Sequence, residues 1–411
     1  MRSIGKINGE ILSSGVFAAF DAQSAPLYTD ASNILFADQL VQPFPNGSLV
    51  IASGQSAPIL GLEAVRISGL RKLFYGTGNG LFSWDVTNGN VQHGTGYSRV
   101  ADQTTLANAS TWSILQWGDW VLATNGIDAP QIWKGSSFGA LSGLGSEFAT
   151  AKTFVKWRQY LFAVNLDVGN NRIAWCDTND VEDWVPTASN DAGALFIRDM
   201  ESEIIAARLL QDNLLLYGHN SVYGINFLQS RQVFGSQHLL TGIGAYSQHA
   251  VTSFQGKHYG FGPRGIWVSD GVSFDYIHTP AVKDTVLNNV NEDQASKIIA
   301  YHDARLDCLI FFYPTLGSTN NDAGLAFNYK TNSWNPLDLA RSAATDNGVF
   351  SYPVTGSVSG SLYNQSAYEL VATPTVDSSI AVPATFAMQF GYGGGAYGGV
   401  PPYGGNYNGV G

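Results

Sequence analysis

The chain has 411 residues, more than a single non-repeating hydrophobic core usually holds, so it is either multi-domain or repetitive. Apolar residues make up 45%, aromatic residues 12% and charged residues only 13%, which excludes a charged coiled coil and a classical disordered chain. Lys and Arg number 21 against 32 Asp and Glu, a net charge of -11 that argues against phosphate-led nucleic-acid binding.

The first 55 residues are rich in Ser, Ala and Pro and read as an N-terminal arm, with an extended turn at Gln42-Pro43-Phe44-Pro45-Asn46-Gly47. The apolar stretch from Ile11 to Phe20 is broken by Ser13, Ser14 and Gly15 and lacks a convincing cleavage site, so no signal peptide is expected. No run approaches the ~18 apolar residues of a membrane-spanning helix.

Residues 56-372 carry a degenerate repeat. Each unit is an apolar strand, a turn, and a second strand ending in an aromatic residue. The first runs from Phe74 through Gly76-Thr77-Gly78-Asn79-Gly80 to Trp84. The second runs from Trp120 through Asn125-Gly126 to Trp133, the third from Tyr160 to Trp175, the fourth from Leu214 to Tyr223, and the fifth from Lys257 to Trp267. The closing aromatics recur every ~42 to 49 residues, the spacing of blades in a propeller. A sixth unit, Leu309–Tyr313 with Leu325–Tyr329, follows after a longer gap, with Trp334 closing its second strand. Leu362-Tyr363 with Tyr368-Glu369-Leu370 reads as a partial seventh. Such hairpins cannot cover both faces of a sheet alone and must stack around an axis. The expected fold is therefore all-β, a β-propeller of about six or seven blades with one short inserted helix and extended termini.

The helix is expected from Pro280 to about Asn291. Thr279-Pro280 suits an N-cap followed by proline in the first turn, and Val282, Val286, Leu287 and Val290 recur at helical spacing. Residues 373-411 form a C-terminal extension whose Gly/Tyr-rich end, from Gly391, cannot build a core of its own. Its tyrosines Tyr392, Tyr397, Tyr403 and Tyr407 are candidate partner-binding residues, each able to enter a groove on a neighbour when the segment orders.

Catalytic and cofactor signatures are missing. The sequence has no Walker A motif, no H-E-x-x-H and no G-x-S-x-G. The glycines at Gly76–Gly80 precede no helical pattern and read as a hairpin turn rather than a phosphate cradle. His93, His219, His238, His249, His258, His278 and His302 show no paired ligand spacing. Cys176 and Cys308 stand far apart and read as buried free thiols. Propellers include glycosidases, so paired carboxylates carry the one enzyme hypothesis worth weighing. Glu201 and Glu203, preceded by Asp199, would share one strand face, but a solvated turn and strand edge is the plainer reading. The turns Asn190–Gly193 and Asn321–Gly324 lack the Ser and Trp of a sialidase-like repeat. The expectation is a non-enzyme without cofactor, metal or catalytic residues.

Two segments carry a family resemblance. The turns from Ala123-Thr124-Asn125-Gly126 to Ile132-Trp133 and Gly262-Pro263-Arg264-Gly265-Ile266-Trp267 are one. The other is Tyr276-Ile277-His278-Thr279-Pro280-Ala281-Val282 leading to Ala300-Tyr301-His302 and Leu309–Pro314. Over about residues 60 to 370 the sequence resembles the β-propeller tail hub or nozzle proteins of short-tailed bacteriophages. Gln42–Gly47 departs from that family's N-terminal turn.

The resemblance implies a structural virion protein, made in the host cytoplasm and assembled into the tail. It would form a homo-oligomer, a hexameric tube that continues the DNA ejection channel and docks on an adaptor protein and on tail fibres or spikes. DNA would pass without specific binding, and the acidic balance suits a lumen that does not grip phosphates. The rival expectation is a glycan-binding or carbohydrate-active propeller.

Overall fold

The computed structural model describes residues 30–37, 40–51, 57–78, 80–97, 111–228, 232–366 and 379–381. Seven four-stranded antiparallel sheets dominate it. In chain order their inner strands are Gly61–Ile67, Ser113–Trp117, Ala151–Trp157, Ala206–Leu210, Val251–Phe254, Ile299–Asp303 and Ala343–Thr345. Each inner strand contacts the next, and the seventh contacts the first, so the sheets close into a ring. This is a seven-bladed β-propeller.

Local sequence explains the blades. Two-residue turns between paired strands need positive φ at both central positions to match the strand twist. Ser68 and Gly69 have φ of 49° and 82°, and Gln255 and Gly256 have 49° and 71°. Within a blade, side chains alternate, and apolar residues on each face meet the neighbouring sheet. The third and fourth blades share Trp157, Phe162, Trp175, Leu216 and Phe234. The fifth and sixth share Phe261, Ile266, Phe311 and Trp334. Trp133, Trp175, Trp267 and Trp334 are buried, while Trp84 is half-buried. Trp175 and Trp267 also donate their indole N–H groups to Asp191 and Gly244 carbonyls, each at 2.7 Å. Trp267 lies over Gly260, where any Cβ would stand 2.1 Å from its ring.

The first six sequence units correspond to the second and third strands of their blades. Leu70–Gly76 pairs with Gly80–Asp85, Trp120–Thr124 with Gln131–Trp133, and Tyr160–Leu166 with Gly169–Trp175. The same holds for Asn213–Tyr217 with Ser221–Phe227, Lys257–Gly262 with Gly265–Ser269, and Cys308–Tyr313 with Ala323–Asn328. Trp334 closes no second strand. It lies in Ser333–Leu337, the outer strand of the sixth blade, opposite Phe327.

The N-terminal arm is part of the ring. Ser48–Ile51 pairs with Leu362–Asn364 as the outer strand of the seventh blade, completing the ring from the other end of the chain. Ahead of it the hairpin Ile34–Ala37 and Leu40–Pro43 packs on the sixth blade. Leu35 and Phe44 are buried there, and the Phe36 N–H donates to Asn335 Oδ1 at 3.2 Å. The second strand of the seventh blade is Val354–Gly356, whereas Tyr368–Leu370 fall outside the described residues. Within the C-terminal extension, Ser379–Ala381 pairs with Asp30–Ser32.

The inserted helix, α1, spans Pro280–Thr285, shorter than the sequence suggests. Thr279 Oγ1 accepts the Val282 N–H at 3.3 Å, as an N-cap should. Two 3-10 turns follow, Leu287–Asn289 and Glu292–Lys297. The helix cannot continue because Val290 bridges to Thr315 and the Asn291 N–H donates to the Pro314 carbonyl. Val282, Val286 and Val290 are buried against the fifth and sixth blades. Among the described residues, no helix is long and apolar enough to cross a membrane.

Candidate functional site

The inner strands surround an axial cavity of about 310 Å³. Its most chemically distinctive side chains come from four blades: Glu63 from the first, Arg208 from the fourth, His249 from the approach to the fifth, and Asp346 from the seventh. Near the end where the inner strands begin, Ser247–His249 bridges the ring. Thr153 donates to Gln248 Oε1 at 2.5 Å, and Gln248 Nε2 donates to Thr111. His249 Nε2 lies 3.0 Å from the Trp112 carbonyl. The fifth blade is thereby tied across the axis to the second and third.

Glu63, Arg208 and His249 are half-buried, and Asp346 lies at the exposed mouth of the cavity. Glu63 Oε1 accepts from Asn347 Nδ2 at 2.9 Å, yet burial pushes its carboxyl up to about 7, against that hydrogen bond and the field of Arg208. Burial likewise raises the Asp346 carboxyl, although its Oδ2 accepts the His302 N–H at 2.6 Å. His249 is held down to about 3, chiefly by burial and then by the nearby Arg208 cation. It is therefore neutral at pH 7. Because a carbonyl only accepts, Nε2 carries the proton toward Trp112 and Nδ1 is left as an acceptor.

Arg208 donates from Nε to the Val251 carbonyl at 3.2 Å and from Nη2 to the Gln248 carbonyl at 2.9 Å. Nη1 has no acceptor among the described residues, and Arg208 forms none of their ion pairs. A smaller cavity of 150 Å³ adjoins at Asp346 and Asn347, where Arg305 stacks on Tyr352 with 4.0 Å from Cζ to the ring centre. The axis thus offers a cation with free valence, two carboxyl groups and an imidazole acceptor.

The carboxylates singled out in the sequence lie elsewhere. Asp199, Glu201 and Glu203 fall in the link between the third and fourth blades, and Glu201 and Glu203 are in no strand, so they share no strand face. Glu201 is exposed, and Glu203 accepts from Asn165 Nδ2 at 2.9 Å. The Ile205 N–H still pairs with the Tyr217 carbonyl, but the Ile204 N–H donates to the Asn170 carbonyl of the third blade, so the peptide at 201–203 stays outside the inner strand. Asp191 binds Tyr160, Thr178 and the Trp175 indole, holding the outer end of the third blade. Cys176 and Cys308 are buried free thiols. Burial pushes the Cys176 thiol up to about 12. Tyr392, Tyr397, Tyr403 and Tyr407 lie outside the described residues. No group of three or more His, Cys, Asp or Glu fit to hold a metal occurs among the described residues.

Sequence reasoning did not bring Glu63, Arg208, His249 and Asp346 together because each comes from a different blade, Glu63 and Arg208 within inner strands and His249 and Asp346 in the links beside them. A faint signal existed: Glu63 interrupts Gly61-Leu62 and Ala64-Val65, and Arg208 interrupts Ala206-Ala207 and Leu209-Leu210. A lone charge inside an apolar strand marks an edge facing water or an axis.

Neither a family model nor a curated protein sequence matches this chain. Solved structures resemble it in fold. The WD40 β-propeller domain of Doa1 matches at 8% identity and a TM-score of 0.46, covering 78% of this chain and 95% of that one. A computationally designed protein matches at 10% identity and 0.44, covering 78% and 98%. PorZ, a bacterial surface component of the type-IX secretion system of Porphyromonas gingivalis, matches at 9% and 0.45. That match covers 82% of this chain and 39% of PorZ. The propeller assignment itself rests on strand register and ring closure.

Proposed function

We propose that this chain is a structural, non-catalytic virion protein of a bacteriophage tail. In this reading it is a hub or nozzle subunit whose hexamer forms the tube for DNA ejection and docks on the adaptor and on fibres or spikes. The observation that carries it is the insertion between the fifth and sixth blades. The sequence resemblance centres on Tyr276–Val282 leading to Leu309–Pro314, and that interval holds α1 and its two 3-10 turns, packed on both blades.

The bridge at Ser247–His249 adds a condition. It crosses the axis of a single propeller, so DNA would pass between copies rather than through one ring. The tube then requires an oligomer. Mass photometry and electron microscopy of the purified chain, alone and with the neighbouring tail proteins, test the reading. A ring of six that seats on the adaptor is expected. A chain that stays monomeric beside those proteins would overturn it.

A second reading, a glycan-binding or carbohydrate-active propeller, draws on the axial carboxyls Glu63 and Asp346, the first poised near neutrality. Hydrolysis or retention of bacterial surface polysaccharide by a monomer would favour it.

A further inference from the structure

We propose that the axial cavity binds a small zwitterion of the α-amino acid class, its carboxylate on Arg208 and its ammonium between Glu63 and Asp346. This inference does not rest on the phage-tail reading. Opposite charges stand apart across one axial cavity that opens to solvent at Asp346. Arg208 lines the cavity and is fixed by two backbone carbonyls, to which Nε and Nη2 donate, leaving Nη1 with no acceptor among the described residues. Glu63 and Asp346, from the first and seventh blades, are fixed by Asn347 and by the His302 N–H, with Glu63 Oε2 unengaged among the described residues.

Neither carboxylate forms a direct ion pair with Arg208, so the cation and the anions face each other without touching. A molecule carrying both charges would complete both halves. A simple anion would leave the two carboxyls unmatched, and a simple amine would leave Arg208 unmatched. A volume of 310 Å³ accommodates a molecule of this size. The aromatic side chains on the lining, Phe154 and Tyr301, are both buried, so no exposed ring offers the face a sugar would stack on.

The raised carboxyls give a second readout. A bound ammonium favours their ionised forms, so binding near pH 7 should release protons from Glu63, beside His249, which is already neutral, and Arg208, which stays a cation. Asp346 also faces His302, whose imidazole is lowered by burial and is neutral at that pH. Among the described residues, no other titrating group that faces the site takes up what Glu63 gives off.

The experiment uses the full chain at pH 7 and isothermal titration of glycine, L-alanine, L-serine, L-glutamate and L-lysine, in two buffers of different ionisation enthalpy. At least one should bind with a dissociation constant of about 1 mM or tighter. Its amide and its N-acetyl derivative should each bind at least about tenfold more weakly, as should the free amino acid to Arg208→Gln and Glu63→Gln. The buffer dependence should report proton release. The derivative comparison uses only the wild-type chain, so it decides the matter even if a variant fails to fold. The proposal is overturned if none of the five binds at about 10 mM. It is equally overturned if the derivatives bind as well as the parent, or if glucose or N-acetylglucosamine binds in their place.

Discussion

The joint between the third and fourth blades and the seam at the seventh hold the same ring by different physics. At the joint, Phe234 meets Phe162, Trp175 and Trp157 at ring-centre distances of 4.9, 5.1 and 5.3 Å, inside a continuous apolar cluster. At the seam, three strands have only three residues each and the fourth comes from the N-terminal segment.

Polar contacts latch the seam. Buried Arg341 donates to Thr355 and Gln365 at 3.1 and 2.9 Å and to the Asn46 carbonyl at 2.7 Å. Gln365 donates to the Pro45 carbonyl at 2.7 Å, and Ser366 donates to buried Asp303. Apolar area is non-directional and forgiving, whereas a latch of buried hydrogen bonds fails when one partner goes. The joints therefore set how stable the ring is, and the seam sets where it opens.

The largest effect should come from breaking the joint. Trp175→Ala removes a buried aromatic and its indole bond, and should cost about 3 to 5 kcal/mol, read as a fall in denaturation midpoint. Arg341→Met keeps apolar bulk but strands its acceptors, and should cost about 2 to 3 kcal/mol. It should also raise protease cleavage near residues 44–51 while leaving the third and fourth blades protected.

Acid–base behaviour sharpens the contrast, because the raised carboxyls Glu63, Asp303 and Asp346 all flank the seventh blade. Between about 4.5 and 7 the folded chain keeps a proton on Glu63 that the unfolded chain has lost, so this group lowers stability as pH rises through that window. His249 and His258, held down to about 3 and about 4, act in the opposite sense, because the unfolded chain binds their protons first as pH falls. The difference between wild type and Glu63→Gln isolates the first effect: the variant should gain in relative stability as pH rises from 4.5 to 7. The smallest change should come from Lys134→Ala. Its 2.5 Å pair with Glu182 lies at the surface and contributes about 1 kcal/mol at most.

The second and third strands of the blades were legible in the sequence because both are rich in buried residues and joined by turns with their own chemistry. Cys308–Tyr313, buried throughout, is the clearest case. Inner strands such as Gly61–Ile67 mix Glu63 and Arg66 into apolar runs, and outer strands such as Gly89–Thr95 are half exposed, so neither shows a clean period. The pairing of Ser48–Ile51 with Leu362–Asn364 has no local signature, since its partners lie at opposite ends of the chain. The axial site was hidden for the same reason. Its residues meet only once the ring has closed.

Hydrogen exchange of the full chain, followed by peptide mass spectrometry without denaturant, tests the closure of the ring most directly. Peptides from 44–51 and 354–366 should exchange together, well before those from 151–175 and 213–227. Simultaneous exchange of all four, or earlier exchange at the third and fourth blades, would contradict a ring built on apolar joints and closed by a polar latch.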